Sequence, residues 1–358
     1  MSKKIVTIVG ARPQFIKAAA VSRAISQTDI DEVLVHTGQH FDHGMSEVFF
    51  QEMEIPTPKY NLNIHSLSHG AMTGRMIEEI EKVLLFEKPD HIMVFGDTNS
   101  TLSGALAAVK LHIPVAHVEA GLRSFNMEMP EEINRILTDR ISNMLFCPTD
   151  TALKNLKNEG FNNFKCQIIK SGDVMYDAAM YYAQKSESIS KIISKLGVFN
   201  KPFILATLHR QENTDNLNRL ESIISAFNKI NVEQQVIIPI HPRTRKIMEQ
   251  TSIKAQFTII DPVGYFDMLE LLKNCTLVMT DSGGLQKEAF FFKKNCITLR
   301  DQTEWVELVE NGYNVLAGAK KNEILNAFNK LKKMKNNFSE DFYGNGDAAR
   351  KIITTING

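Results

Sequence analysis

Short apolar runs alternate with longer stretches of helical periodicity along most of the chain. In the first half, runs typical of buried strands occupy residues 5–9, 32–36, 91–95, 115–118 and 144–147. Residues 15–26 and 101–111, which lie between such runs, carry apolar side chains at the spacing of an amphipathic helix. The same alternation resumes later, with strand-like runs at residues 203–207, 235–240, 257–260, 276–279 and 296–299.

This β–α alternation predicts the fold class. Strands that alternate with helices favour parallel sheets covered by helices on both faces, so two such series predict two doubly wound, Rossmann-like domains. We place the N-terminal domain at residues 1–172 and the C-terminal domain at residues 173–343. Residues 344–358 are predicted to form a terminal helix that crosses back to the first domain. Because open α/β sheets bind ligands at the carboxyl ends of their strands, two facing domains predict a central binding cleft.

Composition and charge exclude several functional classes. The 358 residues are 43% hydrophobic, which is enough for two cores. Lys plus Arg and Asp plus Glu each total 41, so the chain lacks the basic surplus of proteins that bind nucleic acid or anionic membranes. No apolar run reaches membrane-spanning length, and the four cysteines show no Cys-x-x-Cys spacing. We expect a cytoplasmic protein with free thiols.

A stretch rich in small residues, 280–288, follows the last but one strand-like run and predicts an anion site. Its helical pattern restarts after two glycines, so Ser282 and these glycines fall at a helix N-terminus, where free N–H groups and the helix dipole attract anions. Glu288 lies about one helical turn further on, where it can accept hydrogen bonds from hydroxyl groups such as those of a ribose. An ordinary turn, with Asp281 or Ser282 as the helix cap, is the alternative.

Basic residues follow the first strand at its carboxyl end. Gly10 permits a tight turn, Arg12 stands at the strand tip, and Lys17 lies about one helical turn later on the neighbouring face. Two cations at the start of a helix oppose the helix dipole unless they face an anion. The pair therefore indicates a phosphate-binding role, although a solvated basic pair would have the same spacing.

Carboxylates follow later strands of the first domain. Asp97 and Glu119 come directly after two strands that we expect to be close in the sheet, and Glu131 opens a helix with Arg135 four residues on. Each alone fits a structural role, such as a partner of a helix dipole. Together they indicate proton transfer, because like charges in one cleft raise one another's pKa toward neutrality.

Two histidines follow the first strands of the second domain. His209 and His241 have no partner His or Cys at ligand spacing, so we predict no metal site. His209, beside Arg210 at a strand tip, suits proton transfer or contact with a diphosphate.

In this order the motifs resemble those of the non-hydrolysing UDP-N-acetylglucosamine 2-epimerases. The matching segments are GARP at 10–13, GDT at 96–98, HVEAGLR at 117–123, PEEINR at 130–135, HR at 209–210 and DSGGLQKE at 281–288. The resemblance implies the GT-B type of fold, a homodimer, and a UDP-sugar as the bound partner. It further implies inversion of C2, from UDP-N-acetylglucosamine to UDP-N-acetylmannosamine, to supply surface polysaccharide synthesis.

The resemblance also implies a mechanism and a set of site residues. UDP is eliminated across C1 and C2, a 2-acetamidoglucal is held, and UDP is added back with the proton on the other face, which needs no metal or other cofactor. Proton handling and charge stabilisation are implied for Asp97, Glu119, Glu131 and His209, and the spacing leaves open which carboxylate is the base. Substrate binding is implied for Arg12, Lys17, Arg135, His241, Ser282, Gly283, Gly284 and Glu288.

Two departures from the family pattern bear on the substrate. Trp305 stands where the family motif Thr-Glu-Arg-Pro-Glu has arginine, which favours a modified sugar such as UDP-2,3-diacetamido-glucuronate as the alternative substrate. Family members that are activated by a second molecule of UDP-N-acetylglucosamine have polar and basic residues where this chain has Phe41 and Asp42. We therefore predict weak or absent activation by this second molecule. A hydrolysing epimerase, a GT-B glycosyltransferase and a non-catalytic nucleotide-sugar sensor are the remaining alternatives.

Overall fold

A computed structural model describes residues 2–39, 53–251 and 253–358 of the chain. It divides into two compact units, the first formed by Met1–Met180 with Asp341–Gly358 and the second by Tyr181–Glu340. The sequence pattern predicts boundaries after residues 172 and 343, whereas the units divide inside a long helix, Val174–Ile189, and before Asp341. Phe41 and Asp42, on which the prediction about activation depends, lie outside the described residues.

The first unit contains a seven-stranded sheet in the order β3-β2-β1-β4-β5-β6-β7, and neighbouring strands pair in parallel. Its strands are β1 Lys4–Val9, β2 Asp31–His36, β3 Tyr60–Asn61, β4 His91–Phe95, β5 Val115–Val118, β6 Met144–Cys147 and β7 Gln167–Lys170. Its helices are α1 Arg12–Ile25, α2 His69–Glu87, α3 Asn99–Lys110, α4 Pro130–Ile141, α5 Asp150–Asn158 and the start of α6 Val174–Ile189, with the C-terminal helix α15 Ala348–Asn357. A short 3₁₀ helix occupies Phe161–Asn163.

The C-terminal helix α15 is part of the first unit and packs against α1. Lys3 Nζ donates a hydrogen bond to the carbonyl of Ile356 at 2.8 Å, and the amide of Ala349 donates to Asp177 Oδ2 at 2.8 Å. These contacts hold both ends of the helix, because one lies at each terminus.

The second unit contains a six-stranded parallel sheet in the order β10-β9-β8-β11-β12-β13. Its strands are β8 Phe203–Thr207, β9 Gln235–Pro239, β10 Thr258–Ile260, β11 Leu277–Thr280, β12 Asn295–Thr298 and β13 Asn314–Leu316. Its helices, after the end of α6, are α7 Ile192–Lys195, α8 Gln211–Thr214, α9 Leu217–Asn231, α10 Pro242–Glu249, α11 Tyr265–Asn274, α12 Gly283–Phe291, α13 Val306–Glu310 and α14 Lys321–Leu331.

Each sheet has one point at which the strand order reverses. In the first unit it lies between β1 and β4, and in the second between β8 and β11. The connections that leave these paired strands run to opposite faces of the sheet, so a crevice opens at their carboxyl ends. The residues that follow β1, β4, β8 and β11 are therefore those best placed to bind a ligand.

The predicted α/β class with parallel sheets is confirmed, and every strand-like run named from the sequence forms a strand within one or two residues. Strands β3, β7 and β13 are additional. Each lies at a sheet edge, is two to four residues long and contains at most two apolar residues, so its apolar run is too short to identify it as a strand. No helix in the described ranges is long and apolar enough to cross a membrane.

Candidate active site

The turn after β1 is fixed by a buried glutamine. Gln14 Oε1 accepts a hydrogen bond from the amide of Gly10 at 2.8 Å, and Gln14 Nε2 donates to the carbonyl of Phe95, at the end of β4, at 2.8 Å. A Cβ atom at position 10 would lie 2.1 Å from Ser100 Oγ, so only glycine fits. Gln14 thus joins the two strand ends at the reversal point, and it presents Arg12 half-buried at the first position of α1.

Lys17 and Glu119 form a buried ion pair next to Gly96. Both side chains are 8% exposed, and Glu119 directly follows β5. Gly96 has a positive φ of 63°, and a Cβ atom there would lie 3.0 Å from Lys17 Nζ and 3.2 Å from Glu119 Oε2. The glycine therefore leaves room for the pair. Lys17 and Glu119, which the sequence assigns to binding and catalysis respectively, lie together.

Glu119 itself has a left-handed backbone, with φ of 74°. For a glutamate this conformation costs about 1 kcal/mol or more and persists only where the surroundings impose it. Such residues concentrate at functional sites, where a side chain must be held in one direction. The backbone geometry thus agrees with an active role for this carboxylate.

Asp97 and Arg135 form a second ion pair at the end of β4. Arg135, on α4, pairs with Asp97 and also donates to Glu132 Oε2 at 3.0 Å. Asn134 Nδ2 donates to the Asp97 carbonyl at 2.9 Å. The sequence spacing places Arg135 beside Glu131, but its partner on α4 is Glu132, because a buried carboxylate three residues away satisfies the guanidinium better than a half-buried one. Arg135 orients Asp97.

Glu131 lies half-buried in the first turn of α4. Among the residues that the structure describes, its side chain forms no ion pair or hydrogen bond. Its carboxyl group can therefore contact a ligand without breaking an existing side-chain contact. Of the three carboxylates at this end of the sheet, Asp97 and Glu119 are ion-paired, and Glu131 has no cation partner in the described ranges. They therefore do not form a cluster of three uncompensated charges.

The structure also contains a fully buried network, centred on Asp139, that the sequence pattern does not indicate. His117 Nδ1 lies 2.7 Å from Asp139 Oδ1, and His117 Nε2 lies 2.7 Å from the carbonyl of Gly96. Both partners can only accept, so both ring nitrogens of His117 donate. Asp139 Oδ2 also accepts from the amide of Gly121 at 3.1 Å and from Arg123 Nη1 at 2.7 Å.

Asp139 is the centre of this network. Burial raises its pKa, but the hydrogen bonds and charges of His117 and Arg123 outweigh burial and hold the pKa of Asp139 below its usual value. Through its partners it joins the turn after β4, which carries Asp97, to the loop after β5, which carries Glu119. The signal for it in the sequence is a histidine inside an apolar strand, which requires a buried partner.

In the second unit, Asp281 organises the residues after β8 instead of facing a ligand. Its side chain is fully buried, and Oδ2 accepts hydrogen bonds from the amides of His209 and Arg210 at 3.0 and 2.9 Å. His209 Nδ1 lies 3.2 Å from Asp281 Oδ1. Burial raises the pKa of Asp281, but the hydrogen bonds and charge of His209 and the backbone amides outweigh burial and hold this pKa below its usual value. With Nδ1 donating to Asp281, the Nε2 atom of the partly exposed His209 is left for other contacts.

The predicted anion site lies at the start of α12. Ser282 is the helix cap, since the amide of Leu285 donates to its Oγ at 3.4 Å. A Cβ atom at Gly283 would lie 2.6 Å from Glu304 Oε1, so a side chain there would displace Glu304. Ser282, Gly283 and Gly284 are half-buried, which leaves this helix end accessible. Of the sequence alternatives for the cap, Ser282 rather than Asp281 is correct.

Glu288 and His241 differ in exposure. Glu288 is 6% exposed and accepts a hydrogen bond from the hydroxyl group of Tyr265 at 3.1 Å. His241 is exposed and caps α10, where its Nδ1 accepts from the amide of Arg243 at 3.2 Å. His241 follows β9 and Glu288 lies on α12, as the sequence pattern predicts. Neither belongs to a cluster that could hold a metal, and no such cluster occurs in the described part of the chain.

Trp305 packs in the core of the second unit. Its side chain is 3% exposed, and Lys287 Nζ, on a fully buried side chain, lies 4.1 Å from the centroid of the indole. A cation over a desolvated indole is a favourable contact worth about 2 kcal/mol. The sequence leaves open whether Trp305 stacks on a sugar or packs internally, and the structure has the second arrangement.

Comparison with known proteins identifies the family over nearly the whole chain. The family model for UDP-N-acetylglucosamine 2-epimerase matches residues 23–357. The chain is 56% identical to the UDP-2,3-diacetamido-2,3-dideoxy-D-glucuronate 2-epimerase of Pseudomonas aeruginosa, over 98% of each chain. It is 45% identical to the UDP-N-acetylglucosamine 2-epimerase of Methanocaldococcus jannaschii, over 99% of this chain and 98% of the other.

Solved structures extend the agreement to the fold. The crystal structure of the Methanocaldococcus jannaschii UDP-GlcNAc 2-epimerase in complex with UDP-GlcNAc and UDP has a TM-score of 0.91 at 43% identity, covering 99% of both chains. The resemblance and the GT-B type of fold predicted from the motifs are confirmed. The chain therefore belongs to the UDP-N-acetylglucosamine 2-epimerase family of isomerases that act on carbohydrates.

Proposed function

We propose that the protein inverts C2 of a UDP-linked 2-acetamido sugar by eliminating UDP and adding it back. The observation that carries this proposal is the meeting of Asp97, Glu119 and Lys17 around Gly96, at the point where the first sheet reverses. A reaction that moves a proton and expels an anion needs carboxylates and cations at the same place. The second reversal point offers a helix start suited to the diphosphate.

The reaction is balanced without an external reagent. A carboxylate removes the proton from C2, the C2–H electron pair forms the C1–C2 double bond, and the C1–O bond breaks so that UDP leaves with its electron pair. A proton then returns to C2 on the opposite face while a UDP oxygen bonds to C1 again. No electron is gained or lost, so the step requires no redox cofactor.

The contacts of the carboxylates support a division of labour. Asp97 and Glu119 each pair with a cation, and we assign to them acceptance of the C2 proton and stabilisation of positive charge at C1. Glu131 has no cation partner among the described residues, and we propose that it donates the proton to C2 on the opposite face of the sugar. This assignment goes beyond the sequence, which leaves the base undetermined.

We assign recognition of the departing diphosphate to residues of the second unit. The start of α12 supplies N–H groups, and His209 Nε2 can donate to a phosphate oxygen while Asp281 holds the ring. The proposed binding set is Arg12, Lys17, Arg135, His241, Ser282, Gly283, Gly284 and Glu288, with Glu288 at the ribose.

Two sugars compete as the natural substrate. We propose UDP-2,3-diacetamido-2,3-dideoxy-glucuronate as the preferred one, because the relative named for it is 56% identical whereas the Methanocaldococcus jannaschii enzyme named for UDP-N-acetylglucosamine is 45% identical. UDP-N-acetylglucosamine, which gives UDP-N-acetylmannosamine, is the second candidate and shares the reacting carbons. Trp305 does not decide between them, since its indole is buried against Lys287.

Incubation with each sugar in deuterated water tests the reaction and the substrate. We expect deuterium at C2 with the epimer of the same UDP-sugar, followed by NMR, and a higher kcat/KM for the diacetamido sugar. Glu131→Gln should abolish turnover, whereas Glu128→Gln, on an exposed carboxylate just before α4, should not change it. Free sugar would indicate hydrolysis, and the absence of deuterium from both sugars would refute the proposal.

We also propose that the enzyme is a cytoplasmic homodimer. All four cysteines are free thiols, and Cys147, Cys275 and Cys296 are buried. Burial raises the pKa of Cys275 and of Cys296 to about 12, which keeps both sulfurs in the unreactive thiol form. Free thiols are typical of a reducing compartment. Sedimentation velocity on the purified chain tests the dimer, and a monomer at micromolar concentration would contradict it.

A further inference from the structure

The loop between β5 and α4 carries an aromatic side chain in an unfavourable position. Phe125 is 75% exposed, and its backbone is left-handed with φ of 57°. For a bulky aromatic residue both features oppose folding, because the apolar ring stays in water and its Cβ is crowded by the backbone. Folding alone gives no reason for a phenylalanine at this place.

A buried carboxylate holds this conformation. Glu132 is 1% exposed and accepts hydrogen bonds from the amides of Ser124 and Phe125 at 2.8 and 3.0 Å, and from Ser124 Oγ at 2.9 Å. The same carboxylate accepts from Arg135, which is the ion-pair partner of Asp97. The strained residue is therefore joined to a proposed reacting carboxylate through two side chains.

We propose that Phe125 is a substrate-contacting, specificity-determining residue that packs on the apolar parts of the sugar. This inference rests on the proposed function. Strain of this kind is retained where function uses it, and an exposed ring with a fixed backbone gives a rigid surface for C–H groups. The ligand groups that match are the methyl group of an acetamido substituent and the C–H face of the ring. A substrate with two acetamido groups offers more of this surface than one with a single group.

Met127 provides a matched control on the same loop. It is 61% exposed and also apolar, but its φ is not positive and Glu132 accepts no hydrogen bond from it. If exposed apolar surface alone were important, replacing either residue would have the same effect. If the fixed position of the aromatic ring is important, only replacement of Phe125 will raise the KM for the substrate.

Steady-state kinetics and thermal unfolding of Phe125→Ala, Phe125→Gly and Met127→Ala test the proposal. We expect KM to rise about five- to tenfold in both Phe125 variants, the loss of one aromatic contact, with kcat within about twofold. Phe125→Gly should unfold at the same temperature as the wild type or higher, because glycine relieves the left-handed strain. Met127→Ala should leave KM unchanged. The rise should be larger for the diacetamido sugar than for UDP-N-acetylglucosamine.

The outcomes separate this inference from the function on which it rests. If the wild type epimerises neither sugar, the proposed function fails. If it does so and KM is unchanged in both Phe125 variants, the substrate contact is refuted. A lower sedimentation coefficient in Phe125→Ala at unchanged KM would assign the ring to a contact between two copies of the chain, and would also overturn the proposal.

Discussion

The two units use the same kind of crevice in different ways. At the reversal point of the first sheet, charged side chains meet in pairs, Lys17 with Glu119 and Asp97 with Arg135. At that of the second sheet, one buried carboxylate, Asp281, orders backbone amides and the His209 ring, next to the accessible start of α12. Side chains suit proton transfer, whereas backbone N–H groups suit an anion that must be held and released. The two units share the same type of parallel sheet, and they differ in whether side chains or backbone N–H groups supply the polar atoms at the reversal point.

The strongest test of this contrast is Glu119→Gln. The amide keeps the shape but cannot accept a proton or neutralise Lys17, so we expect kcat to fall about 10³-fold, within the range for loss of an acid–base group. The affinity for UDP alone, measured by calorimetry, should change less than threefold. A comparable loss of UDP affinity would show that the carboxylate acts in binding and would remove the contrast.

Asp139→Asn tests whether the buried network supports both carboxylate loops. The amide leaves the donors of His117 and Arg123 partly unpaired in the core, and we expect the free energy of unfolding to fall by about 3 kcal/mol, as for breaking a buried pair. Denaturant titration measures this. At a temperature where nearly all of the variant is folded, its kcat should still lie below that of the wild type, because unfolding cannot then account for the loss. Asp150→Asn, on an exposed ion pair with Lys170, is the control and should change neither.

Asp281→Asn is the counterpart in the second unit. One side-chain oxygen becomes a donor directed at the amides of His209 and Arg210, so the loop after β8 should lose its order. We expect UDP to bind about tenfold more weakly, the loss of roughly one charge-assisted hydrogen bond. In the partial reaction that exchanges the C2 proton of bound substrate, the rate at saturation should fall less than in Glu119→Gln. Equal losses in the two variants would contradict the division between the units.

The smallest expected effect is on the pH dependence of stability, and it arises from Glu87 in the first unit. Hydrogen bonds from Lys59 and Tyr60 lower the pKa of Glu87 from 4.5 to about 2, against its burial, with a further contribution from Lys4. Because the folded pKa is depressed, this stabilisation is complete above pH 4.5 and is lost as pH falls toward about 2. Glu87→Gln should therefore reduce the loss of stability between pH 4.5 and about 2 by only about 1 kcal/mol, because Lys59 is exposed and Lys4 is partly exposed. An unchanged acid branch would refute the role of Glu87.

The sequence predicts most of the fold because its strands are buried and continuous. Strands such as β4, β5 and β8 have apolar runs whose ends coincide with the polar residues of the site. That coincidence also points to Asp97 and Glu119. The edge strands β3, β7 and β13 contain at most two apolar residues each, which is too short a run to detect, whereas the edge strand β10 has the run at residues 257–260.

The residues that were missed act through partners distant in sequence. Gln14 reaches the end of β4, Asp139 reaches back to His117, and Glu132 holds the loop before its own helix. Each is an ordinary polar residue of a helix by its local pattern. Only the packing of α1 and α4 against the sheet shows what they bind. The identity of the sugar depends on finer contacts still, and neither spacing nor Trp305 supplies them.

The left-handed backbone of Glu119 has a consequence for turnover. Its conformational cost is met once, when the chain folds, and the loop then has little freedom to rotate the carboxylate away. In the role that we propose for Glu119, the carboxylate is already oriented before the ligand arrives, so the reorganisation energy of each catalytic cycle is correspondingly small. Transplanting the same carboxylate onto a relaxed loop would preserve its chemistry but lose its preorganisation.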